Sequence, residues 1–480
     1  MTPPAEGVRR SELELGREEM LDLARSAAEL LVQRAEGLAE ERPWAGAGRG
    51  ELEELLREGP PEEGRPASDV LERAARDVLA VASRVDHPRF LAFVPSSPTW
   101  PGVVADFLAS GFNIFQGTWL GASGPSQVEL VVLDWIREWV GYPETAGGLF
   151  TSGGSAASLD AFVAAREAAG APVGATVYMS DQAHTALVRA ATIVGVRPER
   201  VRRVVSDEAF RMDLDALAES VAADRAEGLH PIAVCANAGA TSTGAVDPMG
   251  AIADYCEREE IWLHVDAAYG GFAVLSEKGK RHLQGMERAD SIAMDAHKWL
   301  FQPFEAGCLI VKDLTRLERA FAVHPEYLQD ADWGGEHPNF SDRGLQLSRS
   351  FRALKVWMSI QTFGLAAFRR AVEKGIDLAE RAEAYVLASE LLQLATPASL
   401  SVVCFRFNPR DSGLPRDVLE RVNEAIQERI IDTGTAMMSS TRLRGEYSLR
   451  MCILNHNTTW EDVRRVLSAI EEFGVEAMTA

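Results

Sequence analysis

Asp290-Ser291-Ile292-Ala293-Met294-Asp295-Ala296-His297-Lys298-Trp299-Leu300 is the stretch around which the remaining chain of 480 residues is organised. Ser291 to Met294 is an apolar run of the length of a buried strand. Polar residues interrupt it, and Lys298 follows, hemmed in by Trp299, Leu300 and Phe301. An ammonium group among apolar neighbours is costly to bury, so the pKa of Lys298 is expected to fall. A neutral amine is what attacks a carbonyl. A lysine snorkelling from a strand end would look the same in this stretch alone.

Working outward, short apolar runs alternate with amphipathic stretches from about residue 140 to 313. The runs include 175–179, 232–236, 261–265, 291–294 and 308–311. Nearly continuous hydrophobes mark strands covered on both faces by helices, so the class is α/β with a mostly parallel sheet. A helix is expected over 126–140 ahead of it. Residues 321–346 hold Pro325, Gly334, Gly335, Pro338 and Gly344 without a period, which reads as a long functional loop. A helix is expected from Arg349. Beyond residue 365 a compact α+β unit is expected: helices over 365–391 and 415–433, strands at 401–407 and 447–453, and a last helix from Thr458. Before His87 the chain reads as small amphipathic helices, over 11–40 and over 70–83 with Asp69 as its cap, forming an appendage that packs on something else. The domain boundaries that follow are 1–86, 87–364 and 365–480.

Four further features fall at strand ends, where open α/β sheets bind ligands. Thr151-Ser152-Gly153-Gly154-Ser155-Ala156 leads into a helix, and small residues there let backbone N–H groups reach a phosphate. A plain glycine-serine helix cap is the alternative. Asp266 ends the run Ile261–Val265 and needs a cationic partner, for which a pyridinium nitrogen would serve. It could equally cap a turn, and no metal-ligand spacing accompanies it. His184, in Ser180-Asp181-Gln182-Ala183-His184, could stack on a planar cofactor or be a structural histidine. Asn237 to Gly244, with Thr241, offers small residues and hydroxyls to a pocket. An anion cradle, a histidine, an aspartate and a lysine in that order fit a phosphate-bearing aldehyde on a pyridine ring, pyridoxal phosphate.

Composition sets outer limits. The net charge of −22 argues against nucleic acid or an anionic membrane surface as partner. No apolar run reaches about 18 residues. The N-terminus has no apolar core behind its arginines and does not read as a signal peptide. Five cysteines with no CxxC pair point to free thiols in a reducing cytoplasm.

The motifs His87-Pro88-x-Phe90, Ser180 to His184, Trp262-Leu263-His264-Val265-Asp266-Ala267-Ala268-Tyr269, His297-Lys298-Trp299-Leu300 and Arg352-Ala353-Leu354-Lys355-Val356-Trp357 resemble group II pyridoxal-phosphate amino acid decarboxylases, most closely the aromatic branch. The resemblance spans about residues 15–470. It implies the fold type I architecture with a seven-stranded central sheet, an N-terminal helical segment and a C-terminal α+β domain. It also implies a homodimer with sites at the interface and a small-molecule substrate, an aromatic or related L-amino acid. Lys298 would bind the cofactor as an imine, Asp266 would pair with its ring nitrogen, and His184 and Ala268 would flank the ring. Gly153, Gly154, Ser155, Thr241 and His297 would complete the cofactor site, with Pro95, Ser96 and Gly117 near the substrate. The expected reaction is decarboxylation to the amine and CO2.

Three positions depart from the family pattern. The chain has Asp295-Ala296-His297-Lys298 where relatives often carry Pro-His-Lys or Asn-x-His-Lys, and Asp295 alters hydrogen bonding around the lysine. Gly117 replaces a bulky ring, so the side-chain pocket changes shape. Phe340 stands nine residues before Arg349, where relatives place a tyrosine whose hydroxyl returns a proton to Cα. Phenylalanine has none to give, so the alternative product is an aldehyde formed with oxygen. A catalytically silent cofactor-binding relative is the remaining alternative, disfavoured by intact Lys298 and Asp266.

Overall fold

The apolar runs become the inner strands of a seven-stranded sheet in a computed structural model that describes residues 11–95, 97–323, 337–410 and 412–479. The strands are β1 (Gly147–Thr151), β2 (Ala175–Ser180), β3 (Val201–Val204), β4 (His230–Asn237), β5 (Trp262–Ala267), β6 (Ser291–Asp295) and β7 (Gly307–Val311). Their order is β1-β7-β6-β5-β4-β2-β3. Only β7 runs against its neighbours. The carboxyl ends of β1, β2, β4, β5 and β6 therefore line one edge. Every residue of β2, β6 and β7 is buried, as expected of strands with helices on both faces.

The helices that position the site are α1 (Arg17–Gly37), α2 (Trp100–Gly111), α3 (Trp119–Val140), α4 (Gly154–Ala168), α5 (Thr185–Ile193), α6 (Ala353–Phe363), α7 (Leu365–Ala388), α8 (Arg416–Asp432) and α9 (Trp460–Thr479). Helix α3 begins earlier than its sequence suggests. A non-helical Ala122 breaks it, and Pro125 then sits in the first turn of the second piece, where a missing N–H costs nothing. Asp69 does not cap a helix; it lies inside Ala67–Arg73, which starts after Pro66 and continues as a wider turn over Ala74–Val78. The helix expected near Arg349 starts at Ala353; the Arg349 carbonyl instead accepts the Gln116 N–H at 3.1 Å, and its side chain enters a buried ion pair.

A second sheet, order β10-β11-β9-β8, is antiparallel throughout and comprises β8 (Leu392–Ser399), β9 (Val402–Phe407), β10 (Ser439–Leu443) and β11 (Glu446–Cys452). The sequence reading missed β8 and β10. Both are edges; β8 carries Thr396-Pro397 and register breaks, and β10 is Ser-Ser-Thr-Arg-Leu. Backbone bonds tie the segment after His87 to this sheet: Leu91 N–H donates to Met437 O, and Cys452 N–H to Leu91 O. Tyr269, just past β5, joins the two sheets. Its hydroxyl accepts the Ser401 N–H at 2.9 Å and lies 2.8 Å from Ser401 Oγ.

Candidate active site

Asp295 is the last residue of β6 and leads into a single helical turn, Ala296–Trp299. That turn sets residues i and i+3 on one face. Lys298 Nζ accordingly lies 3.0 Å from Asp295 Oδ2, and His297 Nε2 lies 3.5 Å from the same oxygen. Fully buried Trp299 and Leu300 anchor the turn. Lys298 keeps 21 % of its side chain accessible, whereas Asp295 keeps 4 %. The lysine environment is thus less apolar than the sequence suggests, because a buried carboxylate faces the amine. Asp295 Oδ1 is buried without a hydrogen-bond partner.

His297 is held from two sides. Its Nδ1 is 3.0 Å from Ala306 O, and its ring packs on Phe304 with centroids 4.8 Å apart. Burial holds this imidazole below its ordinary pKa, against the opposing pull of Asp295.

Asp266, paired in register with Ala293 of β6, projects from β5. Among the described residues only the Ala268 N–H, at 3.2 Å, reaches its carboxylate. Burial pushes the carboxyl pKa up; the Lys298 charge is the largest effect opposing it. A half-buried carboxylate with one neutral donor is matched to an incoming cation.

The anion cradle follows β1. Gly153 O accepts from Ala156 and Ala157, while the Gly154 and Ser155 N–H groups have no acceptor among the described residues. They open the 15-residue helix α4, whose dipole favours an anion there. Glycine is required by space: a Cβ on Gly154 would stand 2.6 Å from Ala268 Cβ, and one on Gly307 would strike Gly153 Cα. Ser155 is exposed at the mouth. His184 caps α5, its Nδ1 accepting the Ala186 N–H at 3.2 Å, so the ring is pinned while remaining exposed. An amine, a carboxylate, a free helix start and a pinned ring along one sheet edge are what pyridoxal phosphate needs.

The other expected residues are placed more variously. Thr241 is exposed on the loop after β4, and Pro95 is buried. Ser96 lies outside the described residues. Gly117 is buried; its carbonyl accepts the Ser341 N–H at 3.0 Å, and a Cβ would meet Phe115 at 2.6 Å and Leu347 O closer still. Phe340 is fully buried, between the Arg343 and Arg349 guanidinium groups at 5.1 and 4.8 Å. Arg349 in turn pairs with Glu129 at 2.5 Å, both side chains wholly inaccessible. The structure therefore gathers Lys298, Asp295, His297, Gly153 and Gly154 directly, and sets Phe340 in a separate ionic cluster.

Two residues escaped the sequence reading. Arg450 in β11 donates through Nη1 to Phe93 O at 2.6 Å and through Nε to Ser242 O at 3.2 Å, while its Nη2 is buried without a partner. An arginine inside Leu449-Arg450-Met451-Cys452 was the available signal. Phe93 is 62 % exposed at φ +53°, a left-handed conformation uncommon for a bulky residue.

A model of the family described as the pyridoxal-dependent decarboxylase conserved domain matches residues 50–408. The chain belongs to this family. It is 40 % identical over 467 residues to an aromatic-L-amino-acid decarboxylase of Bacillus atrophaeus, covering 97 % of each chain. It is 30 % identical to a phenylacetaldehyde synthase of Petunia hybrida over 84 % of each. Among solved structures, Oryza sativa TDC with PLP and tryptamine superposes with a TM-score of 0.92 at 28 % identity, covering 98 % of this chain and 100 % of that one. Catharanthus roseus tryptophan decarboxylase in complex with L-tryptophan gives 0.90 at 27 %, over 96 % and 99 %. The enzyme is a pyridoxal-phosphate-dependent amino acid decarboxylase of fold type I, and the residues along the sheet edge fit that cofactor.

Proposed function

We propose that this decarboxylase converts an aromatic L-amino acid to its amine and CO2, with Lys298 as the cofactor-bearing residue. The observation that carries the reading is the placement of Lys298, Asp266 and the free start of α4 on one sheet edge. The cofactor supplies an electron-withdrawing ring that takes up the electron pair left when CO2 departs. Asp266 holds the proton on the ring nitrogen, and its own burial favours a cationic partner there. Gly154 and Ser155 bind the phosphate with their free backbone N–H groups, with Gly153 lining the cradle beside His297. Thr241 adds a hydroxyl from the loop after β4. His184 and Ala268 flank the ring; pinned by α5, His184 keeps its orientation without substrate. Pro95 and Ser96 meet the substrate, and exposed Phe93 and Phe304 offer rings to an aromatic side chain.

The active form is a homodimer with sites at its interface. Trp100, Phe107, Leu108, Phe112, Phe115 and Leu120 are exposed on α2, the start of α3 and the turn between them. Large apolar side chains left exposed along one short segment suit a subunit contact. All five cysteines are buried and free, which suits a cytoplasmic enzyme.

A second reading has a specific observation behind it: Phe340 carries no hydroxyl. In that reading substrate, O2 and water give aldehyde, CO2, ammonia and hydrogen peroxide. Against it, the Phe340 ring is packed between two guanidinium groups, a role phenylalanine fills on its own account. The test is turnover of aromatic L-amino acids in air, scoring CO2, amine, aldehyde and peroxide, repeated with Phe340→Tyr. Amine and CO2 in equal amounts support decarboxylation; peroxide matching CO2, falling as amine rises in the variant, supports the aldehyde. No CO2 from any aromatic amino acid overturns both.

A further inference from the structure

Asp295 is the unusual charge in this site. Its side chain is almost wholly buried at the end of β6, one turn before the lysine. One carboxylate oxygen faces Lys298 Nζ at 3.0 Å and His297 Nε2 at 3.5 Å. The other has no hydrogen-bond partner and lies against the glycine cradle, 3.8 Å from the position of a Cβ on Gly153 and 2.7 Å from that of one on Gly307. No arginine pairs with Asp295 among the described residues; Lys298 and His297 are its partners. Burial weakens the case for the histidine as a cation, which leaves the lysine as the charge that matches it.

We propose that Asp295 is a positioning residue that holds the Lys298 amine as an ion pair whenever the lysine is not bonded to the cofactor. This rests on the assignment of Lys298 as the cofactor lysine. Two consequences follow from the geometry. The i, i+3 spacing fixes the amine over the turn, so the lysine is kept at the site when it is released. The amine must also leave this partner before it can attack a carbonyl, so the pair sets how quickly the apoprotein takes up cofactor. An ion pair at 3.0 Å in a buried place is worth far more than one in water, and it is screened little by salt. A neutral asparagine would keep the shape and lose the ionic hold.

The test uses the full-length apoprotein, stripped of cofactor, and does not require turnover. Lys298 is modified with trinitrobenzenesulfonate at neutral pH, its rate followed by peptide mass, and cofactor capture is followed separately by absorbance. In Asp295→Asn both rates rise by about tenfold, the scale of losing one close ionic partner. Asp295→Glu, which keeps the carboxylate, stays within about threefold of wild type. A merely structural role for Asp295 would not order the three proteins by charge. Equal labelling rates in wild type and Asp295→Asn overturn the proposal, as does Asp295→Glu labelling as fast as Asp295→Asn. Should Asp295→Asn not fold, Asp295→Ser replaces it, read by the same two rates. Borohydride fixation of cofactor to a different lysine would instead refute the assignment on which the proposal rests.

Discussion

Gly154→Ala tests the cradle where it is tightest. A Cβ on residue 154 would lie 2.6 Å from Ala268 Cβ and 3.4 Å from Asp295 Oδ2. Two methyl carbons ordinarily approach to about 3.5–4.0 Å, so the start of α4 or the turn after β5 must move by about 1 Å. Overpacking of this kind costs about 1–3 kcal/mol. The free apoprotein can relax by opening the cradle, so the cost falls on cofactor binding. The dissociation constant for pyridoxal phosphate should rise by about 5- to 150-fold. Stability of the apoprotein should hardly change, because alanine gains about 0.5–1 kcal/mol over glycine inside a helix and offsets part of the strain. The assay is titration of the apoprotein by absorbance, with thermal melts of the same samples. Adding Ala268→Gly removes the opposing methyl and should recover part of the lost affinity. Cofactor affinity within twofold of wild type in Gly154→Ala would refute the reasoning, and no recovery in the double variant would show that Ala268 is not the obstacle.

Asp266→Asn should cut turnover by about a hundredfold or more while leaving cofactor occupancy near wild type, because the amide cannot hold the ring proton but the cradle is intact; parallel kcat and occupancy measurements check this. Asp160 in α4 is 3 % exposed, and burial raises its pKa from 3.8 to about 7 despite a hydrogen bond from Leu345 N–H. Folded protein therefore keeps this proton up to about pH 7 while the unfolded chain releases it near 4. The contribution to stability is full below about pH 4 and declines as pH rises toward 7. Relative to Asp160→Asn, wild type should lose about 3 kcal/mol between pH 5 and pH 8, measured by urea unfolding of both proteins at each pH; an unchanged difference would contradict it.

How much of this was legible in the sequence depends on the residue. Lys298, Asp266 and the cradle sit at the ends of buried parallel strands, which announce themselves as apolar runs followed by small or charged residues. The sheet class followed from the same runs. The edge strands β8 and β10 did not show, because a polar sequence on a sheet edge needs no alternation strong enough to see. The ion pair between Asp295 and Lys298 was visible only as a spacing of three; the burial of Asp295 comes with its place opposite Gly307 of the facing strand β7. The packing of Phe340 was not legible, because Glu129, which pairs with the Arg349 guanidinium beside its ring, is far away in the chain. Arg450 was overlooked for the same reason, its contacts at Phe93 and Ser242 being far away in the chain.

Reduction of the cofactor-loaded protein with borohydride, followed by digestion and peptide mass measurement, tests the central assignment most directly. A single pyridoxyl-modified peptide is expected, with the added mass on Lys298. Stable attachment to another residue, such as Lys355 buried against Asp106, or no attachment in a protein that still releases CO2 from an amino acid, would contradict it.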